Sequence, residues 1–216
     1  IFTDISEEYL DEAISQYSPD QAIACQCDVT NSKSIEKAIQ KASIEFGGLD
    51  IVVHSAGLAI SKPLEETTEA NWNLLQEVLV KGQFLLSRAA AKIMRKQKLG
   101  GNIVYIASKN GLVSGPNNVG YGTAKASQMH MSRLLAAELA NDQIRVNTVN
   151  PDGVIIGSKI WKGDWAEGRA KAYGISIKEL PEFYAKRNID ENEELLFNYG
   201  DMYTNVLKQI NPLEQV

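Results

Sequence analysis

The chain has 216 residues and a formal net charge of −5, from 22 lysines and arginines against 27 aspartates and glutamates. It is long enough for one sizeable core, and without a basic run or stripe it offers a phosphate backbone nothing to bind, which excludes nucleic acid as an expected partner. No apolar run approaches the roughly 18 to 20 residues of a membrane span, and the two cysteines have neither a second pair nor a histidine cluster to complete a metal site.

The pattern is already under way at Ile1, as in a fragment, with a short apolar strand "IFTDI" (1–5) ending on Asp4. "SEEYLDEAISQY" (6–17) is a predicted helix entered through Ser6, with acidic residues in its first turn. "AIACQCDV" (22–29) is a second strand, on which Cys25 and Cys27 share one face as small buried side chains. That is the cysteine usage of a reducing compartment, and the chain reads as cytosolic. Thr30, Asn31 and Ser32 offer caps for a helix in which Ile35, Ile39 and Ile44 recur at helical spacing and which Gly47-Gly48 stops. "LDIVVHSAG" (49–57) is a third strand running into a turn, followed by a long helical stretch from Thr68 to Lys98. A strand (101–108), a glycine-rich loop, a helix from Val119 to Ala140 and a last strand (144–151) complete the alternation. Such alternation predicts an α/β fold: a doubly wound, Rossmann-type parallel sheet, with ligands bound beyond the carboxyl ends of the strands. Asp4, Asp28, the 54–57 turn, Ser108 and Pro151 all fall at those ends.

Tyr-x-x-x-Lys occurs twice, so the pair alone carries little. Tyr105 and Lys109 lie along a strand, where four residues span about 13 Å and the ends do not meet. Tyr121 and Lys125 start a helix, and i to i+4 spacing puts both on one face. An ammonium there is expected to favour the phenolate and bring the phenol, ordinarily near pKa 10, toward the working range. Ser108, ending the preceding strand, is placed to hydrogen-bond the same substrate oxygen as charge develops on it. Lys109 is expected to be solvent-exposed, and His54, closing an apolar strand, is left out of the acid/base set.

Ser108 thirteen residues before Tyr121, the run Tyr121-Gly-Thr-Ala-Lys125, the "HSAG" turn, Asp28-Val29 and "RVNTVNPDG" (145–153) stand in one order. In this the chain resembles the short-chain dehydrogenases/reductases over residues 1–188. More narrowly, "IASKNGLVSG", "NTVNPDGV" and "IWKGDWAEGRAKAYGI" resemble the dehydrogenase module of bifunctional rhamnulose-1-phosphate aldolase/alcohol dehydrogenases.

The resemblance implies a hydride-transferring oxidoreductase acting on lactaldehyde or a related small hydroxyaldehyde, alcohol or sugar-derived carbonyl. It further implies a homo-oligomer formed through the two long helices and an aldolase domain in the full-length chain. Tyr121 would be the general acid/base, Lys125 would also bond the nicotinamide ribose, and Ser108 would orient the substrate oxygen. Asp4 would accept the adenosine ribose hydroxyls and repel a 2′-phosphate, favouring NAD over NADP. Asp28 and Val29 would flank the adenine, Ala56 and Gly57 would admit the cofactor to the backbone, and Asn150-Pro151 would border the nicotinamide. Beside these stand plainer roles: a helix-dipole partner for Asp4, a cap for Asp28, a turn glycine for Gly57.

Three departures from the family pattern stand out. The strand and glycine-rich phosphate turn expected ahead of "IFTDI" are absent, and in the family's 3-2-1-4-5-6-7 order that strand would lie between "IFTDI" and "LDIVVHSAG". The ending "DENEELLFNYGDMYTNVLKQINPLEQV" is atypical, and Leu79 stands where many members hold a relay water with asparagine, leaving Lys125 and solvent as the proton's exit. The expected organisation is a partial dinucleotide-binding domain (1–156), lid helices over the substrate site (157–188) and an atypical tail (189–216). A non-catalytic sensor or scaffold with this fold and a sugar-nucleotide epimerase or dehydratase are the competing readings.

Overall fold

The computed structural model describes residues 1–154 and 159–186. The predicted tail, from 189 on, lies outside the described residues. The chain divides into two compact units between Pro151 and Asp152.

In the first unit α1, α2 and α3 each start where the sequence supplies a side-chain acceptor for the free N–H groups of the first turn. Ser6 caps α1 (Glu7–Ile14) by accepting from the Tyr9 amide, and Asn31 caps α2 (Ser32–Phe46) by accepting from Lys33 and Ser34. Gly47 closes α2 at φ 78°, a left-handed position suited to glycine. Ile35 and Ile39 of α2 are buried, but Ile44 is 71% exposed. Nine residues on from Ile35, it has turned to the opposite face of the helix. Thr68 and Asn71 form a reciprocal capping box at the start of α3 (Glu69–Leu75). The stretch expected as one helix is interrupted: α3 passes into a π-helical segment, Gln76–Lys81, before α4 (Gly82–Gln97) resumes.

Five parallel strands form two runs. Strand β1 (Phe2–Asp4) pairs with β2 (Ala24–Gln26), Thr3 opposite Cys25. Strands β3 (Ile51–His54), β4 (Gly101–Ile106) and β5 (Ile144–Val149) form the other run, with Val53 opposite Val104 and Tyr105 opposite Thr148. The described residues pair β1 with β2 alone and β3 with β4 alone, so the sheet is divided where the family order would place a further strand. One apolar core spans both runs, joining Cys25 and Cys27 to Ile35, Val52, Met94, Ile103 and Ile144. Tyr105 is fully buried in it, its hydroxyl bonded to Ser87. Helix α5 (Val119–Leu139) completes this unit.

In the second unit α6 (Asp164–Tyr173) carries Trp165 and Arg169 against Tyr184. The Arg169 guanidinium donates to the hydroxyls of Tyr173 and Tyr184 at 2.7 and 2.8 Å. Gly153 fits there because an added Cβ would lie 2.9 Å from the Trp161 ring. Among the described residues no helix is long and apolar enough to cross a membrane, and no group of three His, Cys, Asp or Glu is placed to hold a metal.

Candidate active site

Ser108 follows β4 by two residues, in extended backbone, and opens a single 3-10 turn over Lys109–Gly111. That turn lies on α5. An added Cβ at Gly111 would come within 2.9 Å of the Ala126 N and the Lys125 carbonyl carbon, and one at Gly122 within 3.1 Å of the Asn110 O. Two missing side chains thus let the turn that bears Ser108 rest on the helix that bears Tyr121 and Lys125. Gly111 carries no local signal in the sequence beyond its place three residues past Ser108.

Lys109 is buried at 6% exposure, against the expectation of an exposed lysine. Its amide donates to the Pro151 O at 3.0 Å, which ties this turn to the end of β5 and draws the residue inward.

The Ser108 Oγ accepts from the Asn110 amide at 3.2 Å and lies near enough to the Tyr121 phenol to draw its pKa down. Tyr121 and Lys125 share one face of α5, with the Lys125 Nζ 5.6 Å from the Tyr121 ring centre and donating to the Ile106 O at 3.0 Å. The phenol behaves otherwise than expected from spacing. Burial pushes its pKa above the usual tyrosine value, and the nearby Ser108 hydroxyl only partly draws it back. The ammonium pays its own desolvation cost instead: burial lowers the Lys125 pKa to about 8. His54 is likewise held neutral, its pKa lowered to about 4 by burial and further by Lys125, and neither ring nitrogen has a hydrogen-bond partner among the described residues.

The remaining sequence candidates fall at strand ends. Asp4 and Asp28 are neighbours, since the Cys27 amide donates to the Asp4 O at 2.8 Å. Asp4 uses its Oδ1 to accept from Ser6, and Asp28 uses its Oδ1 for both the amide and the hydroxyl of Thr30. Val29 packs where an added Cβ on Gly82 would stand 3.1 Å from its Cγ2, a contact that ties the end of β2 to α4. Ala56 and Gly57 are exposed at the end of β3. The Asn150 Oδ1 is buried without a partner among the described residues, just before Pro151. These features suit a dinucleotide: carboxylates beyond two adjacent strands, an open glycine turn, and an orphaned acceptor near the Ser108 turn.

A family model described as "Enoyl-(Acyl carrier protein) reductase" matches residues 1–167. An uncharacterized oxidoreductase of Bacillus subtilis, YuxG, is 44% identical over 171 residues, which is 79% of this chain and 25% of that protein. The chain thus spans about a quarter of the length of that relative. An NAD-dependent glycerol dehydrogenase of Listeria innocua is 31% identical over 173 residues, 79% of this chain and 67% of that enzyme. Among solved structures, sorbitol-6-phosphate 2-dehydrogenase SrlD of Erwinia amylovora superposes with a TM-score of 0.73 at 27% identity, over 85% of this chain and 73% of that one. Matched in sequence over more than half its length and in fold over most of it, the chain belongs to the short-chain dehydrogenase/reductase family.

Proposed function

We propose that the chain is the catalytic part of an NAD-linked oxidoreductase for a small polyol, hydroxyaldehyde or sugar-derived carbonyl, with lactaldehyde as the type of substrate. The observation that carries this is the convergence of Ser108, Tyr121 and Lys125 where the 108–111 turn rests on α5. Bound NAD supplies the hydride acceptor. Asp4 and Asp28 would hold its adenosine end, with Val29, Ala56 and Gly57 lining its path, and Asn150, Pro151 and Lys125 its nicotinamide end. The free Asp4 oxygen favours NAD over NADP by repelling a 2′-phosphate.

Tyr121 exchanges a proton with the substrate oxygen, and Ser108 hydrogen-bonds that oxygen as charge grows on it. With its pKa raised, Tyr121 rests as the neutral phenol, ready to protonate a carbonyl oxygen; alcohol oxidation first requires the phenolate and therefore speeds up with rising pH. Lys125, held by the Ile106 carbonyl, keeps its donor group beside the phenol.

The glycerol dehydrogenase relative supports a polyol-sized substrate and NAD. The three stretches resembling the aldolase-linked module, together with the length of the Bacillus relative, support a second catalytic domain in the full-length protein. Phe84 on α4 and Leu134 on α5, 47% and 58% exposed, support homo-oligomer formation through the long helices.

The test uses the full-length polypeptide. NADH is expected to bind with a fluorescence change that NADPH competes for poorly, and glycerol, threitol or lactaldehyde to support NAD-linked turnover. Tyr121→Phe should lower kcat by about 10²- to 10⁴-fold while NADH binding persists. Full activity in Tyr121→Phe on every active substrate would overturn the acid/base role, and absence of NADH binding the whole reading.

A further inference from the structure

The π-helical segment Gln76–Lys81 breaks an otherwise regular helix beside Tyr121, and such segments concentrate at functional sites. Its carbonyl ladder is shifted: the Gly82 amide reaches back to the Glu77 O, a five-residue step. The Leu79 carbonyl is taken from outside, by the Gln128 amide Nε2 at 2.8 Å. Gln128 and Leu79 are both fully buried. Gln128 stands one helical turn past Lys125, on the buried face of α5, and its own backbone carbonyl accepts from Gln83 at 3.0 Å and from Ser132 at 2.8 Å. Gln83 also donates to the Ser132 Oγ at 3.1 Å. The Leu79 side chain meanwhile packs with Leu75, Tyr121 and Ala124, and its Cδ2 lies 3.1 Å from where a Cβ on Gly57 would be.

We propose that Gln128 is a positioning residue, which by binding the Leu79 carbonyl fixes the π-helical turn and so holds Leu79 as the dry wall between Tyr121 and the Gly57 turn. It touches no reacting atom and acts through Leu79. Gln83 belongs to the same polar lock but bonds α5 rather than the turn, which makes it the natural control. A buried carbonyl stripped of its donor draws in water. Without the Gln128 amide the turn at Leu79 opens, water reaches Tyr121, and the desolvation that raises its phenol is relieved.

The inference rests on the acid/base reading of Tyr121, and its test separates the two. The phenol of Tyr121 is titrated in the full-length protein by ultraviolet difference against Tyr121→Phe, a readout that needs no turnover. In Gln128→Met the midpoint should fall by about half a pH unit or more, and the pH dependence of alcohol oxidation should move the same way. Gln83→Met should lose thermal stability to a similar degree and leave both midpoints in place. If Gln128→Met does not fold, Gln128→Asn, whose amide is one methylene too short to reach Leu79, takes its place with the same expected shift. An unmoved Tyr121 midpoint in the Gln128 variant, or an equal shift in Gln83→Met, overturns the positioning role. Loss of oxidation in wild type with the spectroscopic shift intact would instead overturn the enzymatic reading.

Discussion

In the role proposed for it, Lys125 sets function against stability. It is 4% exposed, and among the described residues it donates to a neutral carbonyl, that of Ile106. Its pKa falls from 10.5 to about 8 on folding. Between those values the unfolded chain holds a proton that the folded chain lacks, so stability rises with pH across that window; below about 8 both states are charged and the burial cost is felt in full. Removing the charge should therefore help the fold while abolishing the activity proposed for this site. Lys125→Met is expected to gain about 1 to 2 kcal/mol at pH 7 after losing its hydrogen bond, a rise of a few degrees in thermal midpoint. At pH 10 the difference from wild type should largely vanish. Thermal denaturation of both proteins at the two pH values checks this, and a Lys125→Met variant less stable than wild type at pH 7 would refute it. His54 acts with the same sign at lower pH: lowered from 6.5 to about 4, it takes stability away as pH falls through that interval. His54→Leu should flatten the acid limb of a stability-against-pH curve, and a limb unchanged by the substitution would show that other groups carry it.

At the scale of elements, the site depends on one turn lying flush on one helix. An alanine at Gly111 would put its Cβ 2.8 Å from the Met129 Sδ and 2.9 Å from backbone atoms of α5. Main chain cannot step aside as a side-chain tip does, so the turn must lift, taking Ser108 with it. Gly111→Ala should cost about 1 to 3 kcal/mol and, by displacing Ser108 from the phenol, lower kcat about 10- to 100-fold. Gly122→Ala, at 3.1 Å from a single carbonyl oxygen, should do both more weakly. Denaturant unfolding and kcat for the two variants give the ranking, and equal or reversed effects would remove the turn from the argument. The alternation of strands and helices, and the placement of Ser108 at a strand end and Tyr121 at a helix start, were legible in the sequence because they follow from local periodicity and caps. The role of Gly111, the π-helical turn at Leu79, the burial of Lys109 and the raised pKa of Tyr121 were not. Each arises from what a residue meets across the fold, and spacing along one segment carries no trace of it.

For the whole molecule, the divided sheet governs what the chain can do alone. Strands β1 and β3 are each paired on one side in the described residues, and Ile51 and Val53 of β3 are 61% and 58% exposed. Unpaired strand edges present free N–H and C=O groups that accept a further strand, whether from the same polypeptide or from another molecule. The order implied by the resemblance would place a strand between β1 and β3, with a glycine-rich turn toward Asp4 and Gly57. Amide hydrogen exchange distinguishes the edges. In residues 1–216 alone, the open-edge amides of β1 and β3 should exchange fast while the interior strand β4 stays protected. In the full-length polypeptide β1 and β3 should become protected together, with β5 unchanged, and NADH affinity should appear in step with that protection. Protection of β1 and β3 in the short chain, or continued fast exchange in the long one, would mean that no strand is inserted there and that the cofactor site must be completed some other way.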